Sequence, residues 1–78
     1  MKKIFVSFVG PIDRRGHDQN TVVEYSDTLT VEMLLGRLGY PPNQFVAIIT
    51  VVEGVKAPLG RVLKDGDVVV IYTAASGG

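Results

Sequence analysis

The chain has 78 residues, 46% of them hydrophobic and 21% charged, and its eight basic residues balance eight acidic ones. This length predicts one domain, and the zero net charge argues against binding to nucleic acid or to an anionic membrane. The sequence has no cysteine and a single histidine, His17. These counts exclude a disulfide framework, a thiolate metal site and a thiol nucleophile, and we expect neither a metal site nor a catalytic side chain.

The cellular location of the protein is predicted from two features that the sequence does not show, a membrane span and a signal peptide. The longest apolar stretch, FVAIITVV at residues 45–52, is far shorter than a membrane span. The first residues, MKK, lead into an alternating pattern and not into the continuous apolar region of a signal peptide. We therefore expect a cytoplasmic protein.

The N-terminal third predicts a β-hairpin with a long tip. Residues 3–9, KIFVSFV, and residues 21–25, TVVEY, are rich in β-branched and aromatic residues and are typical of strands. Between them, GPIDRRGHDQN at residues 10–20 has the glycine, proline and asparagine of turns. His17 lies among charged residues in this loop, so we expect it to be exposed and not to be a ligand.

A short helix is predicted over residues 31–38. Thr30 is a suitable N-cap, Gly39 suits a left-handed C-terminal position, and Pro41 prevents continuation. Gly36 weakens the helix by about 1 kcal/mol relative to alanine. Apolar residues recur on one face at helical spacing, namely Val31, Leu34, Leu35 and Leu38.

The C-terminal half predicts further strands. Residues 44–52, QFVAIITVV, are apolar on both faces, which predicts a central strand. Residues 53–62 predict turns with at most a short strand, Asp65-Gly66 is a strong turn signal, and residues 67–73 predict the last strand. The fold class is therefore α+β, a mixed sheet of four to five strands with one helix crossing one face.

Three motifs carry a resemblance that covers essentially the whole chain. They are TLTVEMLLGRLG at residues 28–39, PLGRVLKDGDVVVI at residues 58–71 and SGG at residues 76–78. In this order they resemble the ubiquitin-like β-grasp fold and, more narrowly, the ThiS/MoaD family of sulfur carrier proteins. The resemblance implies a β-grasp domain over residues 1–73 and a flexible C-terminal tail over residues 74–78. The chain departs from the family at Glu53-Gly54, where many members have Asn-Gly, and in its long 10–20 loop.

The resemblance implies a protein cosubstrate and not an enzyme. In this family the carboxylate of the terminal glycine, here Gly78, is adenylated by a separate ATP-dependent enzyme of the ubiquitin-activating type and converted to a thiocarboxylate. The carrier binds no cofactor of its own, since the activating partner uses the ATP. Gly77, Ser76 and Ala75 would form a slim tail, because residues without bulky side chains can enter a narrow active site.

The resemblance also implies the second partner and leaves the pathway open. The thiocarboxylate would donate sulfur to a synthase, either a thiazole synthase in thiamin formation or the large subunit of a molybdopterin synthase in molybdenum or tungsten pterin formation. Transfer to tRNA is a further possibility. The carrier itself is expected to be a monomer when free.

The last strand predicts a surface for these partners. Alternate residues of this strand face opposite sides of the sheet, and only one set can face the helix. The resemblance implies that Val69 and Ile71 face it, which leaves the other set on the uncovered face of the sheet. The predicted interface consists of Val68, Val70 and Tyr72, joined by Phe5 from the first strand. An apolar set on an uncovered sheet face is typical of a protein interface, although loops or self-association could also cover it.

Two other functions are compatible with the same residues. The activated Gly78 could form isopeptide bonds with lysines, as in a ubiquitin-like modifier. Alternatively, the chain could be a non-covalent β-grasp binding module like the TGS domain, which shares the LKDGD turn and the last strand. A binding module should tolerate residues added after Gly78, whereas a carrier should lose its function.

Overall fold

The computed structural model of the protein describes residues 1–74, so the predicted tail residues Ala75, Ser76, Gly77 and Gly78 lie outside the described range. The elements follow one another in the order β1 (Lys2–Phe8), β2 (Asn20–Tyr25), α1 (Val31–Leu38), a 3-10 helix (Pro42–Ala47), β3 (Ile48–Val52), β4 (Val55–Ala57) and β5 (Val68–Thr73).

The five strands form one mixed sheet in the order β2-β1-β5-β3-β4. β1 and β5 are parallel, and the other neighbouring strands are antiparallel. Helix α1 covers one face of this sheet, and the side chains between them form the core. The predicted α+β fold is confirmed. The core consists mainly of Ile4, Val6, Phe8, Tyr25, Leu29, Val31, Leu34, Leu35, Leu38, Val52, Val69 and Ile71.

One detail of the predicted sheet is wrong. The predicted strand over residues 44–52 begins only at Ile48, because the chain first forms the 3-10 helix. Pro42 starts this helix with a suitable fixed φ, and Phe45 buries its ring in the core. The third strand, β3, is an interior strand as predicted, since it lies between β5 and β4. The middle strand of the five is β5, which lies between β1 and β3.

Helix α1 has the predicted bounds because its caps are local. The Thr30 hydroxyl accepts a hydrogen bond from the Met33 N–H at 3.2 Å, and Gly39 adopts a left-handed conformation with φ of 105°. The four apolar residues of its predicted face, Val31, Leu34, Leu35 and Leu38, are all buried.

We predict that Gly36→Ala stabilises the protein. A Cβ at this position meets no heavy atom within 4 Å, and Gly36 lies inside α1. Alanine in a helix interior is favoured over glycine by about 1 kcal/mol, so the midpoint of thermal unfolding should rise by about 4–8 °C. Circular dichroism melting measures the change. Gly39→Ala is the matched control, and it should destabilise because its φ is positive. A lower midpoint for Gly36→Ala would contradict the prediction.

The 10–20 loop is anchored to the end of α1. The His17 ring contacts the Leu38 carbonyl oxygen at 2.9 Å through Nε2 and stacks on Phe8. The Tyr40 hydroxyl donates to the Asp13 carbonyl oxygen, and Ile12 is buried. His17 is therefore not the exposed residue that the charged sequence around it predicts. Its partner lies 21 residues away in the chain, which no local pattern could reveal.

The turn before β5 is built by its two aspartates. The Asp65 carboxylate accepts from the Lys3 N–H at 2.9 Å, and the Asp67 carboxylate accepts from the Lys64 N–H at 2.8 Å. Gly66 has a φ of 88° and donates its N–H to the Lys3 carbonyl oxygen. Both carboxylates therefore hold the backbone, as the turn signal predicts.

The β3–β4 hairpin turns at Glu53-Gly54, where both residues have positive φ, 51° and 81°. Asparagine is the usual first residue of such a turn because it tolerates this conformation. Glutamate has a compensating contact here: its carboxylate accepts from the Val68 N–H at 2.6 Å. The departure from Asn-Gly therefore ties the hairpin to the start of β5.

Two buried tyrosines predict a loss of stability at alkaline pH. Burial raises the pKa of Tyr25, and Asp65 and Asp67 raise it further. Burial also raises the pKa of Tyr40, with Asp13 adding to the shift and Arg15 opposing it. A phenol whose pKa is higher in the folded state contributes stability that is fully present below its unfolded pKa of about 10. That contribution is lost as the pH rises through the folded pKa.

These phenols should leave the free energy of unfolding nearly unchanged between about pH 8 and 10. Above pH 10 their titration in the unfolded state should lower it. Urea unfolding at a series of pH values measures this dependence. The double variant Tyr25→Phe, Tyr40→Phe should show a flatter profile above pH 10. An equally steep fall in that variant would show that other groups cause it.

Candidate functional site

The face of the sheet opposite α1 is apolar and is covered by no other element of residues 1–74. We call it the open face. The register places Phe5 between Val22 of β2 and Val68 of β5, and it places Val70 beside Val51 of β3. Tyr72 lies beside Ile49 in the next pair of β5 and β3 residues on the same face. The apolar members of the open face are Phe5, Val22, Ile49, Val51, Val68, Val70 and Tyr72.

The open face contains all four residues predicted from the sequence as a partner interface, Phe5, Val68, Val70 and Tyr72. Phe5 is 41% exposed and Val68 is 48% exposed, whereas Val69 and Ile71 on the opposite side of β5 are fully buried. An exposed apolar patch on a small soluble domain is typical of a protein interface. The structure thus brings these side chains together, and their role as an interface stays a prediction.

Sequence reasoning missed three members of the open face: Val22, Ile49 and Val51. The alternation of β2 contains a signal for Val22, because Tyr25 is buried and residues at odd spacing from it must face the other way. For Ile49 and Val51 the signal is weaker, because β3 is apolar on both faces. Their direction follows from Thr50 and Val52, which are buried against the core.

Charged residues border the open face. Lys3 and Glu24 lie opposite each other on β1 and β2, and Lys56 lies opposite Val51 at the other edge. The Lys3 ammonium is 6.0 Å from the centroid of the Phe5 ring. An apolar centre with a charged border is the usual composition of a protein–protein interface.

The end of β5 lies beside the open face. Thr73 pairs with Ile48, and the Ala74 N–H donates to the Ala47 carbonyl oxygen at 2.7 Å. The backbone is thus hydrogen-bonded to its neighbours as far as Ala74, the residue at which the sequence predicts the tail to begin. The predicted tail residues 75–78 and the predicted reactive carboxylate of Gly78 lie outside the described residues.

Within residues 1–74, no group of three or more histidine, aspartate or glutamate side chains could hold a metal ion. A shallow groove of about 620 Å³ lies between β2 and the end of α1, lined by Val22, Val23, Arg37 and Leu38 among others.

None of the helices over residues 1–74 is long and apolar enough to cross a membrane.

Taken together, the element order, the mixed sheet and the single crossing helix define a ubiquitin-like β-grasp protein. Neither the protein-family models nor the curated proteins include a match to this chain. Two solved structures have the same fold. SAMP1 from Haloferax volcanii superposes with a TM-score of 0.74 at 18% identity, covering 97% of this chain and 99% of SAMP1.

The second is a molybdopterin converting factor, subunit 1, from Pyrococcus furiosus, with a TM-score of 0.76 at 17% identity. The match covers 96% of this chain and 100% of that protein. At these identities the likeness establishes the fold. The ubiquitin-like β-grasp fold expected from the sequence motifs is therefore confirmed.

Proposed function

We propose that this protein is a sulfur carrier whose C-terminal Gly78 carboxylate is adenylated and then converted to a thiocarboxylate. The observation that carries the proposal is the position of β5. This strand lies at the centre of the sheet, places Val68, Val70 and Tyr72 on the open face, and ends four residues before Gly77-Gly78 in the sequence. A partner that binds the open face would thus contact the strand that immediately precedes the predicted tail. The fold shared with a molybdopterin converting factor subunit supports the same function.

The chemistry needs no catalytic side chain from the carrier. A carboxylate resists nucleophiles, so the Gly78 carboxylate first attacks the α-phosphorus of ATP, and pyrophosphate leaves. Hydrosulfide then attacks the carbonyl carbon of the resulting acyl adenylate, and AMP leaves with the electron pair of the broken C–O bond. The product is a thiocarboxylate at Gly78. Both steps would take place in the active site of a separate ubiquitin-activating-type adenylyltransferase, which binds the ATP.

Mass spectrometry of the intact protein tests this proposal. The chain ending at Gly78 is incubated with an adenylyltransferase of this type, ATP and sulfide, and it should gain the mass of one oxygen-to-sulfur exchange. Deleting Gly78 or adding one residue after it should abolish the gain, while the melting temperature stays unchanged. Equal modification of either variant would contradict the proposal.

A second assay addresses what happens to the sulfur. The loaded protein is mixed with a thiazole synthase or with the large subunit of a molybdopterin synthase, each with its own acceptor substrate. Return of the carrier to its unmodified mass with one of the two would identify the receiving pathway. If cells that express the tagged chain accumulate higher-mass lysine conjugates that vanish when Gly78 is deleted, the chain would instead be identified as a ubiquitin-like modifier.

A further inference from the structure

The edge strand β2 directs half of its backbone groups away from the protein. The Phe8 N–H donates to the Gln19 carbonyl oxygen at 2.9 Å, which sets the phase of the β1–β2 ladder. Continuing the register, Thr21 and Val23 exchange hydrogen bonds with β1, whereas the groups of Asn20, Val22 and Glu24 point outward. The side chain of Arg37 confirms this direction, because it donates to the outward Glu24 carbonyl oxygen at 2.7 Å.

This edge has few of the features that prevent strand pairing. Edge strands are usually protected by proline, lysine, a bulge or very short length. β2 has six residues, NTVVEY, without proline or lysine, and its pairing with β1 is uninterrupted. Val22 at its centre is 52% exposed. The opposite edge strand, β4, has only three residues and includes Lys56. β2 is therefore the edge that is open to another strand.

The outward residues of β2 in one copy are complementary to the same residues in a second copy. If two copies of β2 pair antiparallel about a twofold axis at Val22, Asn20 of each copy lies opposite Glu24 of the other. All three outward residues then form hydrogen-bonded pairs, and their side chains lie on the same face. The Glu24 carbonyl oxygen accepts from Arg37 through one lone pair, so the Asn20 N–H of the second copy has to use the other. The Ser7 hydroxyl already bonds the Asn20 side-chain oxygen at 2.8 Å, which leaves the Asn20 amide hydrogens for the Glu24 carboxylate. An axis at Glu24 would instead place two carboxylates opposite each other.

The same pairing joins two charges that have no ionic partner in the described part of the chain. Over residues 1–74 the salt bridge formed is that of Asp13 with Arg15, so it involves neither Asp18 nor Arg37. Asp18 and Ser26 lie just beyond the two ends of β2, which spans Asn20–Tyr25. If the pairing continues past these ends, an axis at Val22 places Asp18 of the second copy opposite Ser26. Arg37 already reaches the Glu24 backbone, so its guanidinium would then lie next to the incoming carboxylate.

We propose that β2 pairs antiparallel with β2 of a second copy of this chain, about a twofold axis at Val22. The contact consists of strand hydrogen bonds, two Asn20–Glu24 pairs and two Arg37–Asp18 ion pairs. The arrangement closes as a dimer, because each copy uses the same edge. It also joins the two open faces through Val22 into one continuous apolar surface. This dimer differs from the monomer expected from the sequence, and it does not depend on the proposed sulfur chemistry.

Sedimentation equilibrium at protein concentrations up to about 1 mM tests the dimer. The mass should rise from 8.4 kDa toward twice that value as concentration increases. Val22→Lys should hold the mass at 8.4 kDa, because it places two ammonium groups at the axis. Val55→Lys on β4 and Val70→Lys on the open face should leave the dimer unchanged. A constant monomer mass in the unmodified chain, or loss of the dimer in Val70→Lys but not in Val22→Lys, would overturn the proposal.

Amide hydrogen exchange by NMR locates the contact independently. Exchange at the Val22 and Glu24 amides should slow with rising concentration, whereas the Lys56 amide on the outer side of β4 should not change. Asp18→Lys and Arg37→Asp should each weaken the dimer, and the two together should restore it. Exchange that is independent of concentration at Val22, or no rescue in the double variant, would contradict the proposed register.

Discussion

Val70→Lys should prevent loading of the carrier while leaving its fold intact. Val70 lies at the middle of the open face, with Ser7 of β1 on one side and Val51 of β3 on the other. If a partner buries this face, an ammonium group at its centre loses its hydration without gaining a counter-ion. An unpaired charge buried at an interface costs about 2 kcal/mol or more, which corresponds to a loss of at least about 30-fold in affinity.

The measurement is thiocarboxylate formation at Gly78 as a function of the concentration of the activating enzyme. Val70→Lys should require at least about 30-fold more enzyme for half-maximal loading. Val55→Lys is the matched control, because Val55 is 62% exposed on β4 and does not belong to the open face. Circular dichroism should show similar melting for both variants. Loading of Val70→Lys at the unmodified rate would show that the open face is not the docking surface.

Ile71→Ala should cost the protein a large part of its stability. Ile71 is fully buried and lies on the central strand, opposite Phe8 on β1 and Thr50 on β3. Removing buried methylene groups at such a site costs about 2–5 kcal/mol. A domain of this length has a total stability of about 4–12 kcal/mol. The variant should therefore unfold at a clearly lower temperature and a clearly lower urea concentration than the unmodified chain.

Urea unfolding monitored by circular dichroism measures this loss as a lower midpoint with an unchanged slope. Val68→Ala is the matched control, because Val68 lies on the same strand but is 48% exposed on the open face. It should lose well under half as much stability as Ile71→Ala. Equal losses in the two variants would mean that the open face is buried in the free protein.

The parts of the fold that were predictable are those with local causes. Helix α1 has the predicted bounds because Thr30 caps one end and Gly39 ends the other. The alternation in β5 separated two faces, and the family resemblance correctly assigned Val69 and Ile71 to the core. The LKDGD turn was predictable because Gly66 adopts a positive φ and Asp67 bonds Lys64 three residues away. The bond of Asp65 to Lys3 is a contact between distant residues and was not predictable.

The parts that were not predictable depend on contacts between distant residues. Residues 44–47 have the composition of a strand, and only the burial of Phe45 against the core selects the 3-10 helix. The anchoring of His17 depends on Leu38, at the far end of α1. Strand order is likewise a tertiary property, so the central position of β5 and the outward direction of Val51 could not be read from their own segments.

The parallel pairing of β1 with β5 determines when this protein can fold. Phe5 pairs with Val68, so the central contact of the sheet joins residues 63 positions apart in the chain. Such a contact forms only after a large loop has closed, which slows folding relative to proteins with local contacts. During synthesis, β1 has no parallel neighbour until β5 has left the ribosome. The body therefore assembles only after synthesis has passed β5, so a β-grasp body that could dock with a partner exists only once the strand that precedes the predicted tail has been made.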